Sequence, residues 1–149
     1  MIVVVGPIGA GKTSLIQAIC YGVLLGSEAT LSCCLYEFGA LKIWDTPGDD
    51  KYSWQAETAV RRATTVVYCV PEGEAHTRDY SELNEDARVL KVFTKADRVA
   101  TREGDGTHTS AVTREGLETL KELLLEDEPQ TTPESVNLRV TREKQKHCC

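Results

Sequence analysis

Residues 6–13 read Gly-Pro-Ile-Gly-Ala-Gly-Lys-Thr and directly follow the apolar run Ile2-Val3-Val4-Val5. This G-x-x-x-x-G-K-[ST] motif has chemical meaning only between a buried strand and a helix, and both are predicted here. Its glycines let successive backbone N–H groups surround phosphate oxygens, and the N-terminus of the following helix adds positive potential. Lys12 is spaced to reach the β and γ phosphates, and Thr13 to ligate Mg²⁺. The motif therefore predicts a triphosphate nucleotide as ligand, because an ordinary glycine-rich turn would not require Lys-Thr after its last glycine.

Length, charge and composition limit the class of protein. The 149 residues suit one domain, and the 41% hydrophobic content fits a globular core. The net charge of −6 argues against a nucleic-acid binder, because phosphate neutralisation needs a basic face. No uncharged run is long enough to span a bilayer, and the chain starts inside its first predicted strand. We therefore expect neither a membrane helix nor a signal peptide.

The six cysteines are divided between apolar stretches of the chain and its last two positions. No C-x-x-C pair is matched by a second ligand pair, so a zinc site is not expected. The cysteines in the apolar stretches are predicted to be small core residues. Adjacent Cys33 and Cys34 would point to opposite faces of a strand, which favours reduced thiols in a cytosolic setting.

Apolar periodicity predicts strands that alternate with helices. The spacing over residues 11–25 indicates a helix after the phosphate loop, and a last amphipathic helix follows Thr113 as its cap. The other predicted elements are a hairpin of 31–38 and 41–46 around Gly39-Ala40, a helix at 54–63, and strands at 64–70, 88–94 and near 107–110. Residues 72–87 are helical only over a short stretch. This order predicts an α/β fold with a mostly parallel central sheet flanked by helices on both faces.

Three further motifs stand at the ends of predicted strands: Ile43-Trp44-Asp45-Thr46-Pro47-Gly48, Thr94-Lys95-Ala96-Asp97 and Thr109-Ser110-Ala111. Each is weak alone, but their order behind a phosphate loop is informative. In that order they resemble the motifs of the Ras superfamily of small GTPases. The stretch Arg61-Arg62-Ala63 with Val66-Val67-Tyr68 is similar to the Rab branch in particular. The resemblance covers nearly the whole chain and implies a P-loop NTPase fold, a small G domain, over residues 1–128.

The resemblance also implies cofactors and site residues. GTP or GDP would bind with Mg²⁺, which Thr13, Thr30 and Asp45 would hold; Thr30 is assigned because no other threonine lies between Thr13 and Thr46. Lys12 and Gly48, whose N–H would meet the γ-phosphate, would assist hydrolysis. The implied nucleotide-binding set is Gly6, Gly9, Ala10, Gly11, Lys12, Thr13, Ser14, Thr30, Asp45, Gly48, Thr94, Lys95, Asp97, Ser110 and Ala111.

The choice of guanine rests on Asp97. A carboxylate there can accept hydrogen bonds from guanine N1–H and from the exocyclic amine, whereas adenine N1 is itself an acceptor. A site built for such donors rejects the analogue lacking them by about 10⁴ or more. In the resembling family Lys95 would lie along base and ribose, Ser110 would support Asp97, and the Ala111 N–H would meet guanine O6.

The chain ends Arg-Glu-Lys-Gln-Lys-His-Cys-Cys, and the terminal Cys148 and Cys149 resemble the Rab signal for double geranylgeranylation. Two lipid chains anchor a protein stably where one binds only marginally. The basic residues before them suit an anionic cytoplasmic leaflet. Residues 129–149 are thus predicted to be a flexible hypervariable tail, and the protein to sit on the cytoplasmic face of an endomembrane, with a soluble pool.

Several positions depart from the resembling family. Asp49 stands where most relatives carry the glutamine that orients the attacking water, and Ile8 replaces a small residue on the γ-phosphate side. Both predict slow hydrolysis that an activating protein corrects poorly. Ala59-Val60 replaces an aromatic pair of the effector surface, which leaves Trp44 either an anchor or a half-buried strand residue. The stretch between Asp97 and Ser110 is too short for a helix-containing crossover, so the fourth helix is expected to be missing.

Three hypotheses follow. The first is a membrane-anchored GTP/GDP switch in vesicle or membrane trafficking, with effector, exchange and activating proteins, the prenylation machinery and a membrane as partners, and no nucleic acid. The second is a degenerate GTPase that stays in one nucleotide state and acts as a prenylated scaffold. The third is a P-loop phosphotransferase acting on a small substrate, which leaves the base-reading motif and the terminal cysteines without a role.

Overall fold

The computed structural model describes residues 1–26, 28–126 and 147–148. Its central element is a sheet in the order β6-β5-β4-β1-β3-β2-β7. The strands are β1 (Ile2–Val5), β2 (Cys34–Phe38), β3 (Leu41–Asp45), β4 (Thr65–Pro71), β5 (Arg88–Thr94), β6 (Thr107–His108) and β7 (His147–Cys148). Strand β1 is parallel to β3 and β4, and β5 is parallel to β4 and β6. Among the described strands, β2 alone is antiparallel to its neighbours, β3 and β7, so the sheet is mostly parallel, as predicted.

Three α-helices accompany these strands in the described residues: α1 (Lys12–Tyr21), α2 (Ser53–Val60) and α3 (Leu117–Leu125). Ile2 and Val4 face one core cluster, which also contains buried residues of α1 and α3. Val3 and Val5 face the other cluster, which contains buried residues of α2. The alternation along β1 thus divides the core into two layers, one on each face of the sheet.

Neither parallel crossover beside β5 contains an α-helix. Residues 72–87, between β4 and β5, have only the 3-10 turn Ser81–Leu83, and residues 95–106, between β5 and β6, have only Ala96–Arg98. The missing fourth helix was predicted, and the lack of an α-helix after β4 agrees with the short helical stretch expected there. Aromatic side chains cover the sheet where these crossovers pass.

The aromatic cover consists of Tyr68, His76, Tyr80, Phe93 and His108. His76 contacts the rings of Tyr68 and Phe93 edge-on, with centroids 4.6 and 4.7 Å apart. Tyr80 packs edge-on against Tyr68 at 4.9 Å, and His108 stacks on Phe93 at 5.1 Å. Edge-to-face and stacked rings add attraction beyond that of their buried area, and here they cover this part of the core where the crossovers contain no α-helix.

Two helix ends differ from the sequence prediction. Helix α1 ends at Tyr21, not near residue 25, because Gly22 adopts a left-handed conformation (φ 69°) and its N–H bonds to Ala18 O. The Arg114 guanidinium then donates to Gly22 O at 2.7 Å. Helix α3 begins after Gly116, also left-handed, and not at Thr113, whose N–H instead donates to Ser110 Oγ. The apolar pattern alone marked neither end.

The predicted hairpin around Gly39-Ala40 is confirmed, with Phe38 opposite Leu41 and Gly39 at φ 59°, but β2 begins at Cys34 and not at residue 31. Cys20, Cys34 and Cys69 are buried in the core as predicted, and Cys33 is half-buried. Burial raises the pKa of Cys20 to about 11 and that of Cys69 to about 12. These two thiols therefore stay protonated at neutral pH.

The predicted boundary at residue 128 and most of the predicted tail, residues 129–146 and Cys149, lie outside the described residues. Both stay predictions, and so does lipidation. Within the described part of the chain, no helix is both long and apolar enough to cross a membrane.

Candidate nucleotide-binding site

The phosphate loop lies where β1 ends, and it is tightly packed against β4. A Cβ on Gly6 would collide with the backbone carbonyl of Cys69, so only glycine fits at this position. Lys12 is 6% exposed, and its ammonium donates to Gly6 O and Pro7 O, both at 3.0 Å. Burial lowers the pKa of Lys12, while the nearby Asp45 carboxylate acts in the opposite direction. The loop thus holds its lysine beside the backbone that would surround a phosphate.

Three oxygen-bearing side chains meet beside the start of α1. Thr13 Oγ1 donates to Asp45 Oδ2 at 2.5 Å, and Thr30 Oγ1 lies 3.1 Å from Thr13 Oγ1 and 3.4 Å from Asp45 Oδ2. Mg²⁺ prefers hard oxygen ligands and is usually held by few protein groups together with phosphate oxygens and water. The donor set fits that ion. The described residues contain no group of three His, Cys, Asp or Glu side chains that could hold another metal.

Gly48, after β3, lies directly against the phosphate loop. A Cβ at this position would be 2.5 Å from Lys12 Nζ and 2.7 Å from Ile8 N. Ile8 itself is 67% exposed, and it lines a cavity together with Gly48. The Asp49 carboxylate accepts from the Lys51 N–H at 3.1 Å and caps the following 3-10 turn, Asp50–Tyr52. Asp49, at the position predicted for the water-orienting glutamine, therefore has its carboxylate hydrogen-bonded within its own turn.

These residues surround one cavity of about 340 Å³. Its lining combines the phosphate loop with residues of two other loops: Ile8, Gly9, Gly11, Lys12, Thr13, Ser14, Glu28, Ala29, Thr30, Leu31, Gly48, Asp49 and Lys95. Glu28, Ala29 and Leu31 were not predicted as lining residues, because a loop without periodicity carries no local signal of what it faces. The size and the mixed lining suit a small charged ligand.

The Thr94-Lys95-Ala96-Asp97 segment is fixed to the phosphate loop by side chains. The buried Thr94 hydroxyl lies 2.6 Å from Ala10 O and 3.2 Å from Val70 O, to which it can donate. Lys95 has φ 60°, and its ammonium donates to Gly9 O at 2.5 Å. The base-side segment and the phosphate loop, distant in sequence, are thus joined by two side-chain hydrogen bonds.

Asp97 and Ser110 face each other at the edge of a second cavity of about 130 Å³. Ser110 Oγ donates to Asp97 Oδ1 at 2.5 Å, and that bond is the main reason why the pKa of Asp97 lies below its ordinary value. The second cavity shares Gly11, Ser14 and Lys95 with the first. It is also lined by Ala111, predicted here, and by Leu24, Arg98 and Val112, which were not. The two cavities therefore adjoin each other.

Gln55 on α2 was not predicted to matter, yet it connects the loop after Thr30 to this helix. Its Oε1 accepts from the Cys33 N–H at 3.1 Å, and its Nε2 donates to Leu31 O at 3.2 Å. It thereby holds the segment after Thr30 against the helix that follows Gly48. No local pattern could have revealed it, because both partners are backbone groups far away in sequence.

Trp44, left open as anchor or strand residue, is half-buried on β3. It lines an apolar groove of about 340 Å³ with Trp54, which is 63% exposed, and with Cys33, Ala59 and Met1. Both descriptions of Trp44 therefore fit the structure.

No family model and no curated protein matches the chain. Among solved structures 960 chains match it, and one of them is a bacterial selenocysteine-specific elongation factor, EF-Sec. The two chains are 21% identical and superpose with a TM-score of 0.64, over 84% of this chain and 28% of that chain. This chain thus spans little more than a quarter of that protein's length.

Identity at this level shows the fold alone, and the fold is that of a G-domain-like P-loop NTPase. The predicted fold class is confirmed. The narrower resemblance to the Ras superfamily and its Rab branch gains no support from these comparisons. The site residues stay predictions, although the structure brings them together.

Proposed function

We propose that the protein is a GTP/GDP-binding switch with slow GTP hydrolysis. The observation that carries the proposal is that the two cavities adjoin, with Lys12, Thr13, Thr30 and Asp45 around the first and Asp97 at the second. A phosphate chain in the first cavity would leave the base beside Asp97. The G-domain-like fold supports nucleotide binding in general.

Each residue has a defined task in this proposal. The Lys12 ammonium, now bonded to loop carbonyls, neutralises phosphate oxygens. Thr13, Thr30 and Asp45 would hold Mg²⁺, which supplies charge to balance the β and γ phosphates. Thr30 and Gly48 stand on separate loops, so contact of both with a γ-phosphate would order the two loops and its loss would release them. Gln55 connects the loop after Thr30 to α2, the helix that follows the Gly48 loop.

Slow hydrolysis is proposed from the surroundings of the γ-phosphate position. A water-orienting group must present a neutral hydrogen-bonding side chain beside the attacking water. Asp49 is anionic and bonds to the Lys51 N–H, while the exposed Ile8 side chain lines the cavity where an incoming arginine would have to pass. The same observation favours the second candidate, a scaffold that stays in one nucleotide state.

The narrower proposal is a Rab-like protein of membrane trafficking, anchored by lipids on Cys148 and Cys149 to the cytoplasmic face of an endomembrane. It rests on the terminal Cys-Cys, the basic residues before it and the Rab-like stretch at 61–68. Effector, exchange and activating proteins would bind at the loops that contain Thr30 and Gly48. The groove with Trp44 and Trp54 lies between β3 and α2, the two elements that the Gly48 loop joins.

The first experiment identifies the nucleotide carried by the purified full chain and measures the affinity for GDP and ADP with Mg²⁺ by calorimetry. We expect bound guanine nucleotide and a strong preference for GDP. Lys12→Ala should abolish binding of both, and Asp97→Ala should remove the preference, whereas the exposed Asp105→Ala is the matched control and should change neither. Equal affinity for GDP and ADP in the unaltered protein would refute the proposal.

A second experiment separates the switch from the scaffold. One turnover of bound GTP is followed by chromatography after addition of Mg²⁺. Slow but complete conversion to GDP supports the switch, and GTP retained without conversion supports the scaffold. For the membrane proposal, the chain is incubated with geranylgeranyl diphosphate and the prenylation machinery; no lipid on Cys148 or Cys149 would refute it.

A further inference from the structure

Glu72, the first residue after β4, is a buried carboxylate outside the set of predicted site residues. Its side chain is 1% exposed, and Oε2 lies 2.8 Å from His108 Nδ1 at the end of β6. The two atoms are within hydrogen-bond distance, and a carboxylate oxygen can accept from a ring N–H. Burial of a charged group is costly unless a partner satisfies it. The pair is therefore a built feature of the core and not a chance surface contact.

The pair connects the two segments that form the base-side cavity. The Glu72 N–H donates to Thr94 O at 2.7 Å, and so fixes the start of the Thr94–Asp97 segment from behind. His108 immediately precedes Thr109 and Ser110, and its ring stacks on Phe93 with the two planes 13° apart. Residue 72 thus contacts both segments, the Thr94 segment through its backbone N–H and the segment that leads to Ser110 through its carboxylate and His108.

Glu72 also reaches the crossover that lacks a helix. Its Oε1 accepts from the Glu103 N–H at 3.4 Å, within residues 95–106. A helix packed on the sheet would normally fix such a crossover, but residues 95–106, all of which the structure describes, contain no α-helix. The carboxylate therefore provides long-range contacts that a crossover helix would otherwise supply.

We propose that Glu72 and His108 are positioning residues for base recognition, which set the discrimination of guanine by holding the Thr94–Asp97 and Thr109–Ala111 segments in register. The inference rests on the proposed guanine-nucleotide function. Neither residue lines the base-side cavity. Both act through Asp97 and Ser110, so their replacement changes the preference for guanine more than the affinity for the phosphates.

The test compares GDP with IDP, which lacks only the exocyclic amine that Asp97 would bind. Loss of general stability weakens both ligands alike, whereas misplacement of Asp97 weakens GDP more. We expect Glu72→Leu and His108→Phe, which keeps the stack on Phe93, to lower the GDP-to-IDP affinity ratio about tenfold. Glu72→Gln keeps an oxygen that accepts from the Glu103 N–H, and its amide nitrogen can donate to His108 Nδ1 in the imidazole tautomer that accepts there. This variant should therefore stay within about twofold of the unaltered ratio.

The matched control is Glu115→Gln, which breaks the exposed ion pair between Glu115 and Arg102 in the same region. It should leave the ratio unchanged, because exposed pairs contribute little. Thermal unfolding of every variant shows which remain folded, and His108→Phe carries the test if Glu72→Leu does not fold. An unchanged GDP-to-IDP affinity ratio in a folded His108→Phe variant would overturn this inference and leave the proposed function standing. Absence of any guanine preference in the unaltered protein would instead overturn the proposed function, and this inference with it.

Discussion

Thr94 offers the sharpest test of how the two halves of the site are joined. Its hydroxyl is buried and lies 2.6 Å from Ala10 O in the phosphate loop and 3.2 Å from Val70 O on β4. Thr94→Val keeps the shape of the side chain and removes only the hydroxyl donor. The substitution therefore isolates one contact between base-side segment and phosphate loop.

The expected cost follows from leaving a buried carbonyl without this donor. Loss of one partner from a buried hydrogen bond costs about 1–3 kcal/mol of unfolding free energy. With a denaturant slope of about 1–3 kcal/mol per molar urea, a loss near 2 kcal/mol lowers the unfolding midpoint by about 1 M. Because the Ala10 backbone belongs to the phosphate loop, GDP affinity should fall about tenfold as well.

Equilibrium urea unfolding, followed by circular dichroism with and without GDP, measures both effects. Thr58→Val is the matched control, since Thr58 is exposed and its hydroxyl donates to Trp54 O at 2.7 Å within α2. The control should stay within about 0.5 kcal/mol of the unaltered protein. A Thr94→Val protein as stable as the control, with unchanged GDP affinity, would refute the structural role given to this hydroxyl.

Three further predictions concern single positions around the nucleotide. Ser110→Ala should raise the pKa of Asp97 toward its ordinary value of 3.8, because the Ser110 hydroxyl is the main cause of its depression. In the proposed function the ionised carboxylate binds guanine, so GDP affinity is lost as pH falls through the pKa of Asp97. Calorimetry between about pH 3 and 4 should therefore show the loss at a higher pH in the variant. Gly48→Ala should slow a single turnover of GTP about tenfold or more, since its Cβ would stand 2.7 Å from Ile8 N; an unchanged rate would contradict the close packing. Asp49→Gln should accelerate that turnover about tenfold or more by supplying a neutral water-orienting amide, and a rate equal to or below the original would count against the proposed cause of slow hydrolysis.

The sequence was most informative where local chemistry and fold coincide. The strand at 88–94 was predicted with both its ends, because an apolar run there stops at the polar Thr94-Lys95 segment. The phosphate loop and the position of Asp45 at the end of β3 also follow from motifs that require a strand on one side. In these stretches composition, periodicity and motif all indicate the same structure.

Prediction failed where a single backbone conformation or a distant partner decides. Val23 to Leu25 continue the apolar pattern of α1, but the left-handed Gly22 ends the helix and leaves them exposed. Gln55 and Glu72 carry no motif, and their importance comes from partners that only the folded sheet brings near. Periodicity reports which face of an element is buried, and it does not report which buried polar group meets which.

The two crossovers without helices have a consequence for motion. Amide protons in helices exchange slowly because hydrogen bonds of consecutive turns must open together, whereas loops fixed by a few side chains open locally. Residues 72–87 and 95–106 are held by side-chain contacts, among them those of the aromatic cover and of Glu72, and residues 95–106 contain Lys95 and Asp97, which line the base-side cavity. We expect their amides to exchange well before those of α1 and α3, and the base to depart before the phosphates when nucleotide is released. The order in which base and phosphates leave the protein would then be determined by which crossovers lack a helix.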